Sequence, residues 1–245
     1  MSLNSEPAYA PSPLLSVVEI YGPVIQGEGV NIGRATSFIR LGGCDYRCTW
    51  CDSMYAVDVK HKSEWTKLTA RDIVATLAVV TSTPSQWVSL SGGNPALQPC
   101  AELVRLLHAD GRRVSVETQG TFFPAWLRDV DLVTLSPKPP SSGMPAPDIV
   151  QLARILANCL QVEFKFVIAD RADYEFAVNT INALNGASQA SLQICTPQAK
   201  MNVGNMRSDV LALWDQVSSW AMADRINVRV LPQLHALAYG YERGK

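Results

Sequence analysis

A mostly parallel α/β sheet is the fold class this chain predicts, on three observations. Apolar, β-branched runs bounded by turn residues recur along it, helical patterns lie between them, and the runs end in glycine-rich or polar segments. In chain order the runs are Ser37–Leu41, Trp87–Leu90, Arg113–Val116, Leu132–Leu135, Glu163–Ile168, Ser191–Ile194 and Ile226–Val230, each reading as a buried strand. Thr69 with Asp72 makes a capping-box-like start to a helix carrying Ile73, Leu77 and Val80 on one face, and a second follows Pro99 with Leu103, Leu106 and Leu107. Tyr174, Ala177 or Val178, Ile181 and Leu184 form a third stripe; Val210, Trp214, Val217 and Ala221 form a fourth, with Ser208 as its expected N-cap. Because β-α-β crossovers are right-handed, such a series either winds around an open sheet or curls toward a barrel. Both arrangements put ligands at the C-terminal strand ends.

Length and composition narrow the class further. With 245 residues and 47% hydrophobic residues the chain fits one catalytic domain over residues 16–245, behind a flexible leader over residues 1–15. The 21 basic and 22 acidic residues leave a net charge of -1, which provides no field to gather nucleic acid or an anionic membrane. No stretch approaches the roughly 20 apolar residues of a membrane span, and the start has no signal-peptide pattern, so a cytoplasmic protein is expected. Cys100, Cys159 and Cys195 are scattered through apolar surroundings and are expected as buried reduced thiols.

The other three cysteines carry the chemistry. Cys44, Cys48 and Cys51 form a C-x3-C-x2-C loop that leaves the strand Ser37–Leu41 through Gly42-Gly43. Three thiolates on a cubane iron-sulfur cluster leave one iron open to a further molecule. The competing reading is a zinc site completed by His61, His108 or His235, but zinc knuckles use a second tight cysteine pair and none is present, so the spacing favours the cluster.

Other strand ends are equally polar. Ser91-Gly92-Gly93-Asn94-Pro95 leaves backbone groups uncovered for a ligand, or simply turns the chain into a helix. Glu117-Thr118-Gln119-Gly120-Thr121 and the stiff loop Ser136 to Pro145 follow the next two strands, and Glu117 with Lys138 can be read as a structural ion pair. Gln26 and Glu28 sit among glycines in Ile25-Gln26-Gly27-Glu28-Gly29, and Gln233 and His235 follow a strand end near the C-terminus.

These residues resemble the radical S-adenosylmethionine (SAM) enzymes and, within them, the 7-carboxy-7-deazaguanine synthases. The superfamily is suggested by Cys44, Cys48 and Cys51 with Gly92-Gly93-Asn94-Pro95; the synthases by Ile25 to Gly29, Arg40, Cys51-Asp52-Ser53, Glu117 to Thr121, Ser136-Pro137-Lys138 and Leu231 to His235. The resemblance implies an incomplete parallel β/α barrel, a 4Fe-4S cluster on the three cysteines, and SAM on the open iron. In the family an electron from the reduced cluster cleaves SAM to a 5′-deoxyadenosyl radical, which removes the C6 hydrogen of 6-carboxy-5,6,7,8-tetrahydropterin. The ring contracts, ammonia leaves, and SAM is regenerated. By the same resemblance Arg40 pairs the substrate carboxylate, Ile25, Gln26, Gly27 and Glu28 hold the pterin edge, and Thr118 and His235 contribute. SAM is expected over Trp50, Cys51, Asp52, Gly92, Gly93, Gly120, Ser136, Pro137 and Lys138, and Mg2+ at Ser53, where many members carry threonine. Family members typically form homodimers and take electrons from a protein such as a flavodoxin or ferredoxin. A glycyl-radical activase, with a protein as substrate, is the enzymatic alternative, and a non-catalytic zinc-binding module is the alternative from another class.

Overall fold

A computed structural model describes residues 12–81, 85–146, 148–184, 189–196, 206–240 and 242–244. Among these residues nine strands form one sheet in the order β3-β1-β2-β4-β5-β6-β7-β8-β9. They are β1 Leu15–Ile25, β2 Ala35–Leu41, β3 Thr66–Leu68, β4 Trp87–Gly92, β5 Arg113–Thr118, β6 Leu132–Leu135, β7 Val162–Ile168, β8 Ala190–Ile194 and β9 Arg229–Leu231. From β2 to β9 every pairing is parallel, whereas β1 runs antiparallel to both β2 and β3. Among the described residues seven α-helices accompany the sheet: α1 Met54–Val57, α2 Ala70–Val80, α3 Ala101–Ala109, α4 Ile149–Asn158, α5 Arg171–Ala183, α6 Met206–Ala223 and α7 Leu234–Tyr239.

Strand alternation gives the sheet two chemically different faces. Val88, Leu90, Val114, Val116, Val133, Leu135, Phe164, Phe166, Leu192 and Ile194 pack with helix residues such as Ile73, Leu77, Leu103, Leu107, Leu152 and Tyr174 into one core. The intervening residues Ser89, Ser91, Ser115, Glu117, Thr134, Glu163, Lys165, Ser191 and Gln193 face the other way and line a polar interior. A β/α barrel with such an interior holds ligand rather than more core.

The seam of this incomplete barrel is filled from both ends of the chain. The loop after β1 crosses it: Val30 N donates to Glu163 Oε2 at 2.6 Å, and Gly27 O accepts from Leu234 N at 3.1 Å. Because β1 is antiparallel, Gln26 and Glu28 follow a strand that ends beside the start of β2, and not one of the parallel strands' C-terminal ends, where ligand-binding loops were expected.

Several expectations need correction. Ser208 lies inside α6, and Trp214, though on the expected stripe, is 38% exposed because its indole N–H turns to Val230 O at 3.0 Å. Val80 is likewise exposed at the end of α2, whose Thr69–Asp72 capping box does form. The last strand is Arg229–Leu231, not Ile226–Val230, and Cys159 is only half-buried. Residues 1–11 of the expected leader lie outside the described residues, and Leu15 already belongs to β1. Among the described residues no helix is long and apolar enough to cross a membrane.

Candidate active site

One cleft of about 1320 Å³, its open mouth included, runs along the polar interior and is walled by the cysteine loop at one side and the β1 loop at the other.

The cysteine side is a clasped loop. Gly93 approaches Gly43 O so closely that a Cβ there would overlap it, and Asn94 N donates to Gly43 O at 2.8 Å. Gly92, at φ +103°, similarly leaves no room beside Leu41 O and Arg40. The glycine pair therefore serves close packing of the cysteine loop first. Tyr46 N and Gln119 Nε2 point at Cys44 Sγ at 3.4 and 3.5 Å. Burial, reinforced by Asp52, pushes the Cys51 thiol up to about 12, and burial raises Cys48 as well, so metal loading must displace protons here. Among the described residues no three His, Cys, Asp or Glu side chains converge on a point able to hold a single metal ion. Cys44, Cys48 and Cys51 nonetheless all line the cleft, where a cubane taking one thiolate at each of three iron corners would turn its fourth iron toward a bound ligand, so the loop fits the cluster.

Beside it, the loop after β6 is nailed in place. Thr49 Oγ1 donates to Ser141 O at 2.8 Å, Trp50 Nε1 donates to Ser141 Oγ at 2.9 Å, and Ser141 Oγ donates to the fully buried Asp173 at 2.5 Å. Asp173 also accepts from Ser141 N and Ala169 N. Trp50, Cys51, Asp52, Gly92, Gly93, Ser136 and Lys138 all line the cleft, with Lys138 Nζ 5.9 Å over the Trp50 ring and 3.0 Å from Ser136 Oγ. Gly120 and Pro137 are buried behind the wall, Gly120 against Leu152.

Across the cleft stands Arg40, mostly buried. Its Nε lies 2.6 Å from Glu19 Oε1 as a charge pair without an aligned N–H, one Nη donates to Ser53 Oγ at 3.0 Å, and the other donates to Tyr21 at 2.8 Å. Burial opposes its charge, but the neighbouring Tyr21, Tyr55 and Glu19 outweigh it and raise the guanidinium's affinity for its proton. The hydrogen bonds to Ser53 and Tyr21 engage one N–H of each Nη, which leaves the second N–H of each for a ligand carboxylate. Ser53 also donates to Asp52 Oδ1 at 2.8 Å. Arg243, near the end of the chain, lies 3.5 Å over Tyr55 at the cleft's outer edge.

The innermost wall holds a buried charge cluster that the sequence reading missed. Lys165, on β7, pairs with both Glu28 and Glu117, and Gln233 Nε2 donates to the other Glu28 oxygen. Glu117 therefore pairs with Lys165 and not with Lys138. Burial pushes the Glu28 carboxyl up, but Lys165, His235 and hydrogen bonds from Lys165 and Gln233 prevail and bring it down to about 2. For Lys165 burial works against the charge and the two carboxylates overcome it, raising its pKa. Gly27 packs directly against His235, and Ile25, Gln26, Thr118 and His235 all line the cleft. Thr118 Oγ1 already donates to Asn94 Oδ1 at 2.8 Å, so its hydroxyl meets a ligand only as an acceptor. Val167, Cys195 and Thr196 complete the wall; nothing in their spacing flagged them.

The radical SAM superfamily profile matches residues 38–136, from β2 through the cysteine loop to Ser136. The chain is 37% identical to the 7-carboxy-7-deazaguanine synthases of Bacillus cereus, over 239 residues, and Bacillus subtilis, over 243, in each case covering 94% of this chain and 98% of the relative. The crystal structure of QueE from Escherichia coli superposes with a TM-score of 0.67 at 22% identity, covering 90% of this chain and 94% of that one, which supports the partial-barrel fold. With a matching fold, a cysteine loop suited to the cluster and identity at this level over nearly full length, the chain belongs to the 7-carboxy-7-deazaguanine synthase family of the radical SAM superfamily.

Proposed function

We propose that the chain converts 6-carboxy-5,6,7,8-tetrahydropterin to 7-carboxy-7-deazaguanine with release of ammonia, in the biosynthesis of queuosine-type 7-deazapurines. The observation that carries this reading is one cleft with two unlike walls: three cysteines on one side, and a guanidinium and a buried carboxylate, Arg40 and Glu28, on the other. When bound, the 4Fe-4S cluster and SAM supply the radical chemistry that removes the substrate's C6 hydrogen.

The chain's own residues bind and orient. Arg40 takes the substrate carboxylate on the second N–H of each Nη, and its contacts to Glu19, Tyr21 and Ser53 hold the fork in place. Glu28, kept ionised by Lys165, accepts from the N–H groups of the pterin edge, with Gln26, Gly27, Thr118 and His235 around it. Trp50, Cys51, Asp52, Gly92, Gly93, Ser136 and Lys138 border the volume for SAM, and Gly120 and Pro137 support that wall from behind.

Ser53 is the assigned Mg2+ contact. The adjacent oxygens of Ser53 and Asp52 suit a hard cation, while Arg40, 3.0 Å from Ser53, requires the anionic substrate to sit between the two positive charges. Mg2+ binding should therefore depend on substrate. The working enzyme is a cytoplasmic homodimer reduced by a flavodoxin- or ferredoxin-type protein.

The test is anaerobic incubation of the iron-loaded protein with dithionite, SAM and the carboxytetrahydropterin. Deazaguanine and ammonia should appear in equal amounts. Absence of deazaguanine from protein that carries a complete cluster and binds SAM would overturn the assignment.

A further inference from the structure

The first cysteine of the loop differs from the other two in what surrounds its sulfur. Gln119, just beyond β5 and 97% buried, directs Nε2 at Cys44 Sγ from 3.5 Å. The same amide nitrogen donates to Asp45 Oδ1 at 2.5 Å, which orients its N–H pair: one hydrogen to the carboxylate and the other toward the sulfur. Asp45 is fixed in turn by Asn94 Nδ2 at 2.9 Å on the same oxygen and by Thr121 Oγ1 at 2.5 Å on the other. Asn94 is fully buried and receives Thr118 on its own oxygen. A carboxylate held by three side-chain donors next to a metal-binding sulfur, and an amide shared between the two, is more apparatus than a loop clasp requires. Backbone bonds from Gly93 to Leu41 and from Asn94 to Gly43 already tie the loop to β4.

We propose that Gln119 and Asp45 set the reduction potential of the cluster through Cys44. Gln119 donates to the sulfur, and Asp45 keeps a negative charge beside it. Reduction adds one electron to the cluster and so raises the negative charge spread over its sulfurs. An N–H donor stabilises that extra charge and raises the potential, whereas a neighbouring carboxylate opposes it and lowers the potential. Gln119 and Asp45 thus act in opposite directions on one couple, and their balance fixes how readily the external reductant fills it. Both are positioning residues, since neither takes the place of an iron ligand. Asp45 faces solvent, which screens its charge, so its effect is the smaller.

The inference rests on the cysteine loop holding a 4Fe-4S cluster, and the experiment separates the two. Wild-type protein reconstituted anaerobically should contain about four irons per chain; failure there would count against the cluster itself. In redox titration followed by the EPR signal of the reduced cluster, Gln119→Met keeps side-chain length but removes the donor. Its reduction equilibrium constant should fall about tenfold, which for a one-electron couple is about 59 mV. Asp45→Asn keeps an acceptor oxygen for Gln119 and Asn94, turns Thr121 Oγ1 from donor to acceptor opposite the new amide nitrogen, and removes the charge, and the constant should rise about threefold. Unchanged potentials, shifts of the same sign in both variants, or loss of iron from either would overturn the proposal, the last by assigning the pair to cluster retention. Should Gln119→Met fail to fold, the sign of the Asp45→Asn shift still decides: an unchanged or lowered potential overturns it.

Discussion

Replacing Lys165 with methionine removes the ammonium that neutralises Glu28 and Glu117 in the innermost wall of the cleft. The cost can be worked from Glu28. Its carboxyl is held at about 2 in the folded chain, against roughly 4.3 in an unfolded one, which corresponds to about 3 kcal/mol favouring the ionised folded form. Stripping one partner from a buried pair typically costs about 3–5 kcal/mol. Glu117 adds little, because its side chain is 36% exposed and solvent takes over part of the pairing, as at exposed ion pairs worth about 0–1 kcal/mol. Lys165→Met should therefore destabilise the fold by about 3–4 kcal/mol at pH 7. The sign of the pH dependence follows from the direction of each shift. Glu28 lies below its unfolded value, so its contribution is present above roughly pH 4.3 and disappears as pH falls through about 2. Lys165 is raised, so its contribution is complete below roughly pH 10.4 and is lost as pH rises through its folded value. In the variant Glu28 protonates at higher pH, and the penalty should shrink between pH 7 and pH 5. Anaerobic urea unfolding at both values measures it, and adding Glu28→Gln to Lys165→Met should recover most of the loss. A loss under about 1 kcal/mol at pH 7, or one independent of pH with no recovery in the double variant, would refute the reasoning.

Three further outcomes are expected. Arg40→Ala should retain its iron but bind the carboxytetrahydropterin roughly 10- to 150-fold more weakly, since a hydrogen-bonded charged contact is worth about 1.5–3 kcal/mol; calorimetric titration checks this. Gly93→Ala should force the cysteine loop away from Gly43 O, costing about 1–3 kcal/mol, and iron content after reconstitution should drop while far-UV circular dichroism stays unchanged. Asp173→Asn should release Ser141 and with it the Trp50 contact, lowering SAM affinity and thermal stability together; equilibrium dialysis and a melting curve measure the two effects.

What the sequence made legible was whatever is local. Apolar alternation located β2 and β4 to β8, and the Thr69–Asp72 pair marked a helix start because a cap depends on residues three apart. The cysteine loop was legible because a metal cluster imposes its own spacing. The missed features depend on tertiary contacts. Lys165 sits inside a run, Glu163–Ile168, that was read only as a buried strand; its charged positions alternate with Phe164, Phe166 and Ile168, and that alternation was the available sign of a polar interior. β1 was missed because its bulged pairing and mixed burial break the period of two. Asp173 lies in the first turn of α5, and only the fold brings the Ser141 loop onto it. Trp214 fits the helical stripe by spacing, yet its N–H finds Val230 O at the surface, a polar demand that periodicity ignores.

The central claim is that one cleft presses the substrate's C6 toward SAM. A carboxytetrahydropterin deuterated at C6 tests this directly. After anaerobic turnover the account predicts deuterium at the 5′ carbon of recovered SAM, together with 7-carboxy-7-deazaguanine. Deazaguanine formed with no deuterium entering SAM would contradict it.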